Sequence, residues 1–258
     1  MAKSTRATRV ISLRPIALSR GWPPRLRSFS AGLSAAAALL MLAAPAFSQT
    51  APDLGSAGSY AVVSGTFTNT TAGTVVEGDV CFTTPPAVAP SITGAVVTPC
   101  PAQTGLDHTA RSALDAQVCT PLGAAVALDE ISIGGGLPGV FPPGCYSSTG
   151  AMSITTGATL TLSGDGVYIF RPGGALDPAA GSSVITADGA CTDNVFWTPA
   201  GGTTIGANAI FLGNVFRGTA DGLSITLGNS ASLDGRSLSP IWRRATTAPA
   251  KPSRWAGS

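Results

Sequence analysis

Five short segments of this chain end on a glycine and share one pattern, and that pattern restricts the fold more than any other feature. Segments 159–164, 184–189, 208–213 and 230–235 align on their final glycine, and 73–78 joins them. Two residues before the glycine stand Val76, Leu162, Ala187, Phe211 and Leu233; four before stand Thr74, Leu160, Ile185, Ala209 and Ala231. These mostly apolar slots alternate with small or hydroxyl-bearing ones, as one inward and one outward strand face require. From Gly164 to Gly189, Gly213 and Gly235 the spacing is 25, 24 and 22 residues, which suits one three-sided coil per repeat. A unit of one or two short strands cannot bury its apolar side alone, so such units must stack as the coils of a β-solenoid. The competing architecture is a β-sandwich of similar strand content; near-regular spacing with glycine at the same corner favours the solenoid.

The first 48 residues read as an address. Seven of the 15 basic residues precede residue 30, where no acid occurs, and an apolar run over 31–44 follows. Pro45 and the small residues Ala46 and Ser48 then form a cleavage site, so a secretory signal cut after Ser48 is expected and the product is secreted. The run is shorter than the ~20 residues of a membrane span. A retained anchor or an organelle transit peptide is the alternative. Between Gln49 and Leu238 only Arg111, Arg171, Arg217 and Arg236 face all 13 acids, which leaves the body at −9. That balance disfavours nucleic acid and anionic membrane as partners, and a monomer is expected.

Export makes the cysteines readable as a partial disulfide framework. Cys81, Cys100, Cys119 and Cys145 lie close together in sequence while Cys191 stands apart. Two bridges within 81–145 are expected, with the pairing open, and Cys191 is expected to be free and buried. The spacings match no zinc pattern. One helix is expected over 107–119, capped by Asp107 and with Ala110, Leu114 and Val118 on its apolar face. The proline-rich stretch 81–105 reads as an irregular cap or insertion.

Catalytic signals are weak. His108, the one histidine, sits beside the capping Asp107 as a solvated helix-start residue. No nucleophile elbow, P-loop or dinucleotide fingerprint occurs, and the body has no lysine to join an acid cluster of the kind polysaccharide-cleaving β-helices need. Asp188 and Asp193 flank Cys191, but two turn carboxylates are more often solvated than metal-bound. No enzyme activity, cofactor or metal is expected. What remains is a rigid, sparsely charged scaffold that displays Thr, Ser, Ala and Asn in ranks. Threonine carries a methyl and a hydroxyl on a stiff side chain, so a flat rank of them can order a water layer with little entropy loss. For any single position, a good exposed strand residue is the plainer reading.

Seven blocks in order, LGSAGSYAVVSG (54–65), VVEGD (75–79), FPPGCY (141–146), GVYIFR (166–171), NVFW (194–197), FLGN (211–214) and LDGR (233–236), resemble the DUF3494 ice-binding protein family. The resemblance implies a mainly β fold: a discontinuous right-handed β-solenoid of triangular cross-section with one helix packed alongside, adsorbing to ice through one flat face. The family's Thr-Ala/Gly-x-Thr/Asn surface pattern is matched at 71–74 and 156–159, and approximated at 205–208 and 229–232.

Taken together, residues 49–238 are expected to form an ice-binding solenoid, and 239–258 a basic, Pro-rich tail that departs from the family and leaves the last coil uncovered. The expected ice face is Thr66, Thr68, Thr71, Thr74, Thr156, Thr159, Thr161, Thr186, Asn208, Ser230 and Ser232, with Thr74 its weakest member because the alignment puts it in an inward slot. Thermal hysteresis and inhibition of ice recrystallisation are the expected activities. The alternative is an extracellular adhesion or envelope module that uses the same solenoid as a spacer, with a carbohydrate-active β-helix well behind.

Overall fold

The structure, a computed structural model, describes residues 48–69, 74–100, 104–218 and 223–239. Strands of two to seven residues wind into a right-handed, triangular β-solenoid in which every strand pair is parallel. The first face stacks Val126–Ala127, Met152–Ile154, Leu176–Pro178, Thr203–Ile205 and Ile225–Leu227. The second stacks Val140–Phe141, Thr159–Ser163, Ser183–Ala187 and the first halves of Ile210–Phe216 and Ser232–Leu238. The third stacks Thr120–Gly123, Gly144–Ser148, Tyr168–Pro172, Val195–Trp197 and the second halves of those two long strands.

Parallel strands covered on both sides carry unbroken apolar runs rather than alternation. Tyr168, Ile169 and Phe170 are all buried, as are Val195, Phe196 and Trp197. One set of side chains fills the coil interior, where Phe141, Tyr146, Phe170, Trp197 and Phe211 make an aromatic ladder with centroid separations of 4.9, 5.5, 4.3 and 4.7 Å. Ile169, Phe196 and Phe216 point the other way and form a second core with Ala110 and Leu114 of the helix. The helix is therefore the cover of the third face.

That helix spans Thr104–Asp115, not 107–119. It begins a turn earlier than the Asp107 cap suggests and ends before Val118, which is 69% exposed. Pro121 and Gly123 belong to the strand Thr120–Gly123 that follows. Arg111 fastens the helix down: its guanidinium donates to the carbonyls of Arg217, Thr198 and Pro199 at 2.9, 3.1 and 2.8 Å, and pairs with Asp115 at 3.3 Å. Burial pulls the Arg111 pKa below its ordinary value, and Asp115 pushes back. Disulfides join Cys81 to Cys100 and Cys119 to Cys145. Cys191 is free but exposed, with extended backbone directly before the short helical turn Thr192–Asn194, so the burial expected for it is corrected.

The N-terminal part is also solenoid. Tyr60–Thr66 pairs with Asp79–Thr84, which pairs with Val96–Val97, and Val75–Val76 pairs with Ser91–Ile92. The stretch 81–105 thus contributes a coil stapled by Cys81–Cys100 and is not irregular over its whole length. This part docks at the far end of the stack: Val62 pairs with Ser237 and Val63 with Leu238, and Ser239 donates its N–H to Val63 at 2.8 Å. The last coil is accordingly covered, contrary to expectation, by the chain's own first strand. Residues 240–258 lie outside the described residues. Among the described residues no helix is long and apolar enough to cross a membrane.

Candidate functional site

Each face presents a different surface. The third is covered by the helix. The first has outward positions held by Ala127, Ser153, Asp177, Thr204 and Thr226, and Asp177 puts a carboxylate in its middle. Burial raises the Asp177 pKa above its ordinary value. The second face also carries one carboxylate among its outward strand positions, Asp234, but on its last strand and not in its middle.

Its register decides which side chains line up. Thr159 pairs with Ser183, Ser183 with Ile210, and Ile210 with Ser232, giving one outward rank that crosses four coils. Adjacent members of such a rank are about 4.8 Å apart, the spacing of neighbouring strands. The Thr159 and Ser183 hydroxyls touch at 2.9 Å. Beside this rank, Thr161 pairs with Val140 on one side and Ile185 on the other. Ile185 and Ile210 are 45% and 57% exposed, so methyl groups and hydroxyls share one surface. Asp234 on the last strand adds a carboxylate at its margin.

Thr159, Thr161 and Ser232 therefore lie on the second face, Thr159 and Ser232 exposed and Thr161 half-buried. Thr186 is exposed near the end of its strand, just before Asp188 turns the chain with a φ of 51°. Thr156 is exposed at the corner that leads onto the face. Asn208 and Ser230 occupy the same corner in later coils, with φ of 58° and 57°, in line with Gly157 and Gly181 at 71° and 68°. They are corner residues, not members of the strand rank. Thr66 and Thr68 are exposed in the N-terminal coil; Thr66 ends the strand Tyr60–Thr66 on the third face and is not brought beside Thr159. Thr74 is half-buried and donates to Asn69 Oδ1 at 2.9 Å, which suits its inward slot. Thr71 lies outside the described residues.

The expected ice face omits Ser183, Ile185 and Ile210, of which only Ile210 has an outward slot in the sequence alignment. That alignment set Thr159 against Val184, whereas the structure pairs Leu160 with Val184. A slip of one residue exchanges the two sides of a strand, so Val184 is buried and Ile185 exposed, the reverse of the aligned slots. In the last two coils the glycine comes two residues early. Gly213 and Gly235 pair inside continuous seven-residue strands and bend them with φ of 105° and 145°, where Gly164 opens a separate corner. A Cβ on Gly235 would sit 2.2 Å from the Gly213 carbonyl oxygen, so that bend needs glycine.

No group of three or more His, Cys, Asp or Glu among the described residues could hold a metal ion. The second face presents hydroxyl and aliphatic side chains repeated at strand spacing.

The chain resembles ice-binding proteins in sequence and in fold. The ice-binding protein of Flavobacterium frigoris (strain PS1) is 32% identical over 112 residues, 43% of this chain and 39% of that protein, so the match spans well under half of the relative's length. Ice-binding protein K1-A of Typhula ishikariensis is 30% identical over 195 residues, 66% of this chain and 79% of the relative. The crystal structure of an ice-binding protein from an Antarctic bacterium of the Flavobacteriaceae superimposes with a TM-score of 0.61 at 27% identity, covering 74% of this chain and 44% of that one. The profile described as Ice-binding-like matches residues 53–241, most of the sequence, and the chain belongs to that family.

Proposed function

We propose that this protein is secreted and adsorbs to ice through its second face, producing thermal hysteresis and inhibiting ice recrystallisation without catalysis. The observation that carries the reading is the rank Thr159, Ser183, Ile210 and Ser232, held at strand spacing on a rigid stack, with Thr161 and Ile185 alongside. Hydroxyls in a regular rank hold water at fixed positions, and the intervening methyl groups leave that water few other partners. Bound molecules force the crystal front to grow curved between them, and curvature lowers the local freezing point. The family supports ice as the ligand.

Ice-affinity partitioning of the purified protein tests the ligand, and enrichment in the ice fraction is expected. Replacing Thr159 or Ile210 by Tyr raises a ring above the flat surface, and each change is expected to remove most of the thermal hysteresis while far-ultraviolet circular dichroism stays the same. Partitioning into ice with both variants fully active would move the face. No enrichment at all would leave the solenoid as an adhesion or envelope spacer.

A further inference from the structure

We propose that the mature amino terminus is Gln49 and that it closes on itself as a pyroglutamyl lactam. The proposal rests on the reading of residues 1–48 as a cleaved leader, with Ala46 and Ser48 as the small residues of the cleavage site. Cleavage after Ser48 frees the α-amine of a glutamine whose own carboxamide lies within reach of a small, unstrained ring. The neutral amine attacks Cδ of that carboxamide. The N–Cδ bond forms, the Cδ–Nε2 bond breaks, and ammonia leaves with a proton given up by the amine. No oxidant, metal or second substrate enters, and the reacting groups belong to one residue, so closure bears no cost of bringing two molecules together.

The fold holds the residue that follows the ring. Just beyond the end of the helix, the Gln117 side chain clamps residue 50 from both sides. The Thr50 N–H donates to Gln117 Oε1 at 3.0 Å, and Gln117 Nε2 donates to the Thr50 carbonyl at 2.7 Å. Residues 48–52 run beside Ala113 and Val118 along a shallow cleft of about 280 Å³. Ring closure consumes only the α-amine and the side-chain amide of Gln49, and leaves both backbone groups of Thr50 to the clamp. The result is a chain end with no free amine, anchored one residue later on the helix side of the solenoid. Such an end offers no starting point to aminopeptidases that need a free α-amine.

The test is to express the full chain with its leader in a secreting bacterial host, recover the protein from fresh medium or periplasm, reduce it, and determine the intact mass and the N-terminal peptide. The expected peptide begins at residue 49, is lighter than its sequence by one ammonia, and is refractory to stepwise Edman sequencing. Gln49→Ala should start at the same residue, show no ammonia deficit, and sequence normally. A wild-type peptide that begins at Gln49 with its full mass overturns the lactam and leaves the leader reading standing. A start at any other residue overturns both.

Discussion

At the scale of single residues, the outward rank of the second face shows what a sequence can and cannot reveal. A slip of two residues keeps every side chain on its own side of the sheet, so the alternation of Ala209, Phe211, Ala231 and Leu233 with Asn208, Ile210, Ser230 and Ser232 looked right although the aligned partners were wrong. Thr159 was legible as outward; that its partners are Ser183, Ile210 and Ser232 was not, because parallel register is set by corner length and corners carry no apolar pattern. Residue-scale chemistry also governs the alkaline limit of the fold. Tyr146 and Tyr168 donate their hydroxyls to the carbonyls of Pro142 and Gly164 at 2.7 and 2.6 Å. Burial foremost raises both pKa values from 10.0 to about 12, helped by Tyr168 beside Tyr146 and by Asp165 and Asp188 beside Tyr168. Between about 10 and about 12 the folded chain keeps protons that the unfolded chain has released, so stability is full below that window and falls as pH rises through it. Denaturant midpoints measured on either side of pH 10 should drop on the alkaline side, and the drop should shrink in Tyr146→Phe and Tyr168→Phe.

At the scale of elements, the helix was visible from Ala110 and Leu114 at one-turn spacing, both fully buried. Its ends were not, because Asp107 has the chemistry of a cap without standing at the helix start, and Val118 continues the spacing past the end. The doubly covered strands of the third face were harder to read, since their apolar runs carry no alternation to say which side meets the helix. The residue that joins helix to solenoid had no signature at all: Arg111 reads as a surface arginine until the carbonyls of Thr198, Pro199 and Arg217 are seen to converge on it. Truncating it leaves buried acceptors without a donor, each costing on the order of 1 kcal/mol or more. Arg111→Ala should therefore lose about 3 kcal/mol of stability in a denaturant melt, an amount no surface arginine would supply. Its ice affinity below the melting range should be unchanged, since the helix covers the third face and the proposed ice rank lies on the second.

At the scale of the whole molecule, the decisive contact joins the two ends of the solenoid sequence. A parallel pairing of Val62 and Val63 with Ser237 and Leu238 has no local trace, so the composition after Leu238 pointed to an open last coil. The seam is instead closed from the N-terminal side, and Arg236 is its bolt. Its guanidinium donates to the Gly58 carbonyl at 2.9 Å, to Asp193 Oδ1 at 2.8 Å and to Asn214 Oδ1 at 3.0 Å, linking the first strand's approach to two successive coils. Asn214, fully buried, is fixed in turn by the carbonyls of Asp193 and Val195. The ion pair with Asp193 is exposed on the acid's side and adds little by itself; the bonds to Gly58 and Asn214 are the ones that hold the seam. Arg236→Ala should cost about 2 kcal/mol, a drop of roughly 4–8 °C in the melting midpoint of a domain this size. Deleting 240–258 should leave the midpoint where it is, because Val63 already covers Leu238. Equal losses from the two changes would mean that the tail, and not the first strand, closes the solenoid.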